Sequence, residues 1–468
     1  MSDLTRSRPE NGQSLEQLAL RVLLPAFPGT TLARDVAGLF AEGLGGVCLF
    51  GSNTADGPAA VAELTSAIHA AAPYAVVAVD EEGGDVTRLH ALDRSPVLGP
   101  AALGAAGDLA LTRETGAAIG TELAAAGIDL DLGPVADVNS DPDNPVIGTR
   151  SFGTDAAAAA AHTAAWVAGL QGAGVAACAK HFPGHGDTAQ DSHLALPMVD
   201  VDLPTLLGRE LAPFAAAVEA GVASVMTSHI LVPAVDPALP ATLSRPVLGL
   251  LRDHLGYGGV LVTDALDMAG ASAGRGIPEA AVLSLAAGAD LLCLGADKDI
   301  ALVRQVQAAI VAAVRSGRLA EERLVEAVDR IARLPRGAGS AAPVDAARQL
   351  AGARRAVTVE GELPDLRGAE VVSVATPANI AIGEVPWGLP PDRFLQPGEP
   401  VTGDRPVVLQ VRDAHRRPEV LVEGAAVVVE WGWPGPYAGG TPRICTRGYS
   451  RPGAVAVTEL LRKAGWDR

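Results

Sequence analysis

Lysine is almost missing from these 468 residues, occurring only at positions 180, 298 and 463. Lys plus Arg number 36 against 54 Asp plus Glu, a formal charge of −18, which repels nucleic acid and anionic membrane. Cysteine is scarce as well: Cys48, Cys178, Cys293 and Cys445 stand far apart, three of them in apolar runs, with no zinc spacing. They read as reduced core residues, which implies a reducing compartment. Met1 to Gln17 is polar and lacks an apolar stretch of signal-peptide type, and no later run free of charge and glycine approaches a membrane span. The expectation is a soluble, cytoplasmic protein that acts on a neutral or locally steered small molecule, with no nucleic-acid or membrane partner.

What is present is a globular composition, 49% hydrophobic and 19% charged, on a chain too long for one ordinary core. Polar chemistry concentrates in one stretch. Residues 180 to 193, Lys-His-Phe-Pro-Gly-His-Gly-Asp-Thr-Ala-Gln-Asp-Ser-His, hold three histidines, two aspartates and a lysine. The apolar run Gly174 to Ala179 before it reads as a buried strand, and Pro183, Gly184 and Gly186 forbid its continuation as a helix. The cluster therefore sits on a loop past a strand end.

Four readings of that loop compete. His181 and His185 have the spacing of a helical zinc pair, but Pro183 and Gly184 between them oppose a helix, so no metal is expected. Gly184, Gly186 and Ala189 imitate a dinucleotide fingerprint, yet His185 and Asp187 interrupt it. A merely structural polar loop leaves so many crowded ionisable groups unexplained. Acid/base chemistry explains them: residues two apart on an extended loop point the same way, so Asp191 can orient His193 and favour its protonated form.

Short buried runs recur through the first two thirds of the chain, at Leu18 to Phe27, Gly46 to Phe50, Ala75 to Asp80, Ile128 to Val138, Gly174 to Lys180, Ala223 to His229, Gly259 to Asp264 and Asp290 to Gly295. Ala-rich segments of helical length separate them, among them Arg113 to Ala126, Asp155 to Gly172, Leu203 to Ala220 and Pro278 to Gly288. This alternation predicts an α/β fold: a (β/α)8 TIM-like barrel over residues 15–335 after a tail at 1–14. Asp80, His181, His229 and Asp264 all fall at carboxyl ends of predicted strands, where such barrels build active sites. A small-residue linker at 336–343 leads to a smaller C-terminal α/β layered domain, 344–468, with strands expected at Glu370 to Val374, Pro406 to Val411 and Ala425 to Trp431.

The 180–193 stretch resembles the signature of glycoside hydrolase family 3, in its β-N-acetylglucosaminidase branch: Lys-His-Phe-Pro-Gly-His-Gly, four residues, then Asp-Ser-His. The resemblance implies that His193 is the general acid/base, with Asp191 as its partner. It places the catalytic nucleophile at Asp264, in Val262-Thr263-Asp264-Ala265-Leu266-Asp267-Met268, where the residue alone reads as a helix cap and Asp267 is the competing candidate. It assigns Asp80, Arg88, Arg150, Lys180 and His181 to sugar binding. His229 is a weaker candidate, equally readable as a satisfied structural histidine. One departure stands out: the family commonly carries arginine directly after Gly83-Gly84, where this chain has Asp85.

The activity so implied is retaining cleavage of terminal N-acetylglucosamine from small glycans, such as muropeptide fragments or chitin-derived disaccharides, through a glycosyl-aspartate and without a cofactor. A histidine acid/base also leaves phosphate open as an alternative acceptor, because neutral imidazole does not repel an anion as a second carboxylate would. A catalytically silent sugar-binding protein on the same fold is the remaining alternative.

Overall fold

The computed structural model describes residues 12–468 apart from 191–195, 338, 377, 378, 380, 384 and 438. Fourteen strands lie among the described residues, in two regions. Strands β2 (Gly46–Leu49), β3 (Val76–Val79), β4 (Leu130–Asp131), β5 (Ala176–Phe182), β6 (Ser224–Thr227) and β7 (Val260–Thr263) form an all-parallel sheet in sequential order, a half-barrel. Every residue in them is buried, as near-continuous Val, Ala and Leu runs in a helix-covered parallel sheet require. A separate parallel pair joins β1 (Leu23–Leu24) to β8 (Leu292–Cys293).

Hydrogen bonds run from this pair to both edges of the half-barrel. Thr263 N donates to Leu291 O over 2.9 Å on one side, and Cys48 N donates to Pro25 O over 2.9 Å on the other. The helical segments stand where the sequence predicts them, at Leu109–Ala125, Ala156–Gly172 and Ile277–Ala287. Leu203 to Ala220 is helical too, but with a wide turn through Leu206–Glu210.

The run Leu18 to Phe27 differs from expectation. Ser14 and Gln17 form a reciprocal capping box that starts a helix, Leu15–Arg21, and only Leu23–Leu24 remains for the strand.

The second region is a mixed sheet ordered β11-β10-β12-β13-β14-β9. Its members are β9 (Thr358–Glu360), β10 (Glu370–Val374), β11 (Arg393–Leu395), β12 (Val407–Val411), β13 (Val427–Glu430) and β14 (Arg443–Cys445), all parallel except β9, which is antiparallel to β14. Alternation sorts its side chains into two cores: Val371, Val408, Val427 and Val429 pack with Leu461 and Trp466 on one face, while Val372, Leu409 and Val428 pack with Val420 on the other. Loops beyond the carboxyl ends of both sheets meet each other. His415 Nε2 lies 2.7 Å from Pro142 O, Arg94 Nη1 donates to Gly388 O at 3.2 Å, and Arg451 N donates to Ser95 O at 3.0 Å.

Candidate active site

A cavity of about 310 Å³ opens at the carboxyl ends of the half-barrel strands. Asp80, Arg88, Arg150, Lys180, His181 and Asp264, six residues singled out in the sequence, line it together. Asp191 and His193 lie outside the described residues.

Its inner wall is built on a carboxylate that the sequence reading missed. Glu82, 1% exposed, receives Arg150 Nη2 at 2.7 Å and Nε at 3.0 Å, and Lys180 Nζ stands 2.7 Å from it on the other flank. Lys180 also donates to Asp80 over 2.6 Å. Burial by itself would raise the Glu82 pKa, but Arg150 and Lys180 hold it below the usual carboxylate range. Lys180 shows the converse: burial disfavours its charge, and Asp80 and Glu82 more than restore it. Both cations are thus charged and fixed in place.

Asp137 is the second residue that sequence reasoning passed over, one of three aspartates inside the apolar run Ile128 to Val138. It is fully buried. Its Oδ2 lies 2.7 Å from His181 Nδ1, and its Oδ1 accepts from His181 N at 3.1 Å and His185 N at 2.8 Å. One carboxylate therefore pins both the ring of His181 and the start of the loop. Burial would raise the Asp137 pKa, but His181 and His185 lower it. The His181 Nε2 remains 3.4 Å from Arg150 Nη2, at the cavity face. His185 lines the same cavity, and its burial outweighs the attraction of Asp137 to push its pKa down to about 4, so it is neutral at physiological pH.

The loop takes its path because Gly184, at φ 121°, adopts a conformation that L side chains avoid, and because a side chain at Gly186 would run into the Val138 carbonyl.

Asp264 lines the same cavity, half-buried just past β7, with its amide bonded to Thr227 O at 3.2 Å. It caps no helix: the next helical turn is Ala269–Ser272, preceded by Met268. Asp267 also reaches the cavity but is exposed and pairs with Lys298 at 2.8 Å. His229 is not among the lining residues. It is buried, with ring nitrogens 2.9 Å from Thr242 Oγ1 and 2.9 Å from Ala265 O, a structural histidine beneath the Asp264 turn.

Arg88 approaches Asp80 at 4.0 Å and donates through Nη2 to Ala381 O at 3.0 Å, so the second region reaches the rim, and Ala381 itself lines the cavity. Among the described residues no group of three His, Cys, Asp or Glu side chains is disposed to hold a metal ion.

The chain resembles known proteins along most of its length. Residues 15–334 match the family model described as "Glycosyl hydrolase family 3 N terminal domain". Beta-hexosaminidase A of Pseudoalteromonas piscicida is 34% identical over 333 residues, which are 65% of this chain and 55% of that protein, so the chain spans about half the length of that relative. A beta-hexosaminidase of Thiobacillus denitrificans is 39% identical over 284 residues, 58% of this chain and 78% of that one. Among solved structures, a glycoside hydrolase family 3 beta-N-acetylglucosaminidase from Paenibacillus sp. str. FPU-7 superposes with a TM-score of 0.83 at 32% identity, covering 97% of both chains. Beta-glucoside phosphorylase BglX, at 19% identity and a TM-score of 0.74, shares the fold alone. With its family model spanning residues 15–334 and a family structure matched along almost its whole length, the chain belongs to glycoside hydrolase family 3.

Proposed function

We propose that this chain is a retaining β-N-acetylglucosaminidase that releases terminal N-acetylglucosamine from small glycans such as muropeptide fragments or chitin-derived disaccharides. The convergence of Asp264 with Asp80, Arg88, Arg150, Lys180 and His181 on one cavity of about 310 Å³, at the small end of the range for small-molecule sites, carries the reading. Beta-hexosaminidase relatives and the Paenibacillus beta-N-acetylglucosaminidase support the choice of sugar.

In this reading the hydrogen bonds that join the β1–β8 pair to both edges of the half-barrel close a (β/α)8 barrel over residues 15–335, which 336–343 links to a C-terminal domain at 344–468. Four free, buried cysteines suit a cytoplasmic setting.

Asp80, Lys180, Arg150, Arg88 and His181 hold the ring hydroxyls. Lys180 has three N–H donors, of which two engage Asp80 and Glu82, so one is left for a hydroxyl. The Asp264 carboxylate attacks the anomeric carbon as His193, oriented by Asp191, protonates the departing oxygen. The same histidine then takes a proton from water, which attacks the anomeric carbon and frees Asp264. Water suits this cavity better than phosphate, because Asp80 and Glu82 already balance the charges of Lys180 and Arg150.

The test is replacement of Asp264 by Asn, expected to lower kcat by at least about a thousandfold on a nitrophenyl N-acetylglucosaminide while the fold survives. A fluorinated N-acetylglucosaminide inactivator should label Asp264, and labelling of Asp267 instead would overturn the assignment. His193→Ala should lose far more activity on poor leaving groups than on nitrophenyl glycosides. Sugar 1-phosphate formed with a large rate increase in phosphate buffer would overturn hydrolysis.

A further inference from the structure

Asp85 follows the Gly83-Gly84 turn and is almost completely enclosed, with its side chain 4% exposed. Three groups from three parts of the chain converge on its carboxylate. Arg412, beyond the end of β12, donates Nη2 to Oδ1 at 2.8 Å, and the Tyr449 amide donates to the same oxygen at 3.0 Å. Thr149 donates its hydroxyl to Oδ2 at 2.8 Å. Gly448 leaves the space this requires, since a Cβ there would stand 2.9 Å from Oδ2.

The positions of these partners matter more than their number. Asp85 lies three residues before Arg88 and Thr149 directly precedes Arg150, so the bond between Asp85 and Thr149 ties together the two loops that carry the ring-holding arginines. Arg412 and Tyr449 anchor that tie to the second region. A parallel set of contacts works on the same loops: Arg88 donates to the carbonyls of Ala381 and Ile382, while Asn379 Nδ2 donates to Pro145 O at 2.8 Å and Val146 O at 3.1 Å. The second region thus holds the Arg88 loop at two places, and the Arg150 loop directly through Asn379 and indirectly through Asp85. A buried, charge-assisted contact with one short side chain has little freedom to adjust, so it fixes a spacing as well as joining two elements.

We propose that Asp85 is a positioning residue for the sugar site, which through Thr149 and Arg412 sets the spacing of Arg88 and Arg150 and makes glycoside affinity depend on the second region. The proposal rests on the reading of Arg88 and Arg150 as ring-binding residues. It requires that loosening the tie weaken binding without touching the bond-breaking step, because among the described residues the carboxylate of Asp85 is held by Thr149, Arg412 and Tyr449 and not by Asp264 or residues 180–190.

The experiment compares wild type, Thr149→Val, Thr149→Ser and Arg412→Met on a nitrophenyl N-acetylglucosaminide, with thermal unfolding measured alongside. Thr149→Val deletes the donor with hardly any change of shape and should raise KM about tenfold, as loss of a hydrogen bond to a charged group does, while kcat changes less than about twofold. Thr149→Ser keeps the hydroxyl and should retain the wild-type KM. Arg412→Met should raise KM at least as much as Thr149→Val, and should it fail to fold, the two Thr149 variants still decide. A folded Thr149→Val with unchanged KM, or one in which Ser fails to rescue, overturns the positioning role. A wild-type protein that turns over no N-acetylglucosaminide overturns the functional reading and the proposal with it, an outcome distinct from an active wild type whose KM ignores Thr149.

Discussion

Glu82 and Glu430 occupy comparable places in the two sheets. Each is a glutamate, buried at or just past the carboxyl end of a parallel strand, and burial favours the neutral form of both. Their partners differ. Glu82 is answered by Arg150 and Lys180, which hold it ionised. Glu430 is answered by backbone amides, Asp413 N and Gly432 N at 2.7 Å and Ala414 N at 3.0 Å, and with the Asp413 charge nearby its pKa is pushed up to about 7. Amides that close on a carboxylate leave nothing to offer a ligand, whereas a guanidinium or ammonium group has further donors to turn outward. The same strand-end position lines a cavity in one region and braces a loop in the other.

The strongest test of that contrast is Glu82→Gln. It leaves Arg150 and Lys180 without their shared counter-charge, and breaking a buried ion pair by removing one partner costs about 3–5 kcal/mol. Denaturant unfolding should show a loss of that size, and under the proposed function kcat/KM should fall at least about a hundredfold because both cavity cations lose their fixed positions. A variant that is destabilised yet keeps wild-type kcat/KM would place Glu82 with Glu430 as architecture.

A smaller effect is expected of Asp137→Asn. The amide retains an oxygen for the His181 and His185 backbone amides but loses the charge-assisted contact to His181 Nδ1. That contact should be worth about 1.5–3 kcal/mol, which predicts a rise in KM of about ten- to a hundredfold. An unchanged KM with reduced melting temperature would limit Asp137 to holding the loop.

How much of this was legible follows from where the partners sit. Strand ends and polar residue types lie close together in sequence, so the cavity residues Asp80, Lys180, His181 and Asp264 could be named from local pattern. Orientation could not. Glu81 and Glu82 are neighbours, yet Glu81 turns to the amides of Arg88 and Leu89 while Glu82 lines the cavity. Asp85 was visible as a departure from the family, but the residue that answers it, Arg412, is 327 positions away. The strands β9, β11 and β14 escaped because three residues cannot display a period of two. Helix Leu15–Arg21 escaped because its cap lies in polar residues outside the apolar run.

The smallest effect on activity should come from Glu430→Gln, and its signature is in the pH dependence of stability. Below the ordinary carboxyl value of 4.5 the group is protonated in folded and unfolded chains alike. From there up to about 7 the folded chain keeps a proton that the unfolded chain has released, so stability falls as pH rises across this interval, by at most about 3 kcal/mol in total. Glutamine does not titrate and removes this contribution. The first region keeps a similar one of its own, since Glu210, buried near Gly184, is likewise raised to about 7 by burial against the opposing pull of Arg209. Unfolding of Glu430→Gln between pH 4.5 and 7 should therefore show a shallower decline that Glu210 still sustains, with kcat/KM within about twofold of wild type. An unaltered slope would mean that the amides around Glu430 hold it ionised after all. A large fall in kcat/KM would mean that Glu430, through the loop that carries Arg412, helps to position the cavity residues, and the contrast with Glu82 would no longer hold.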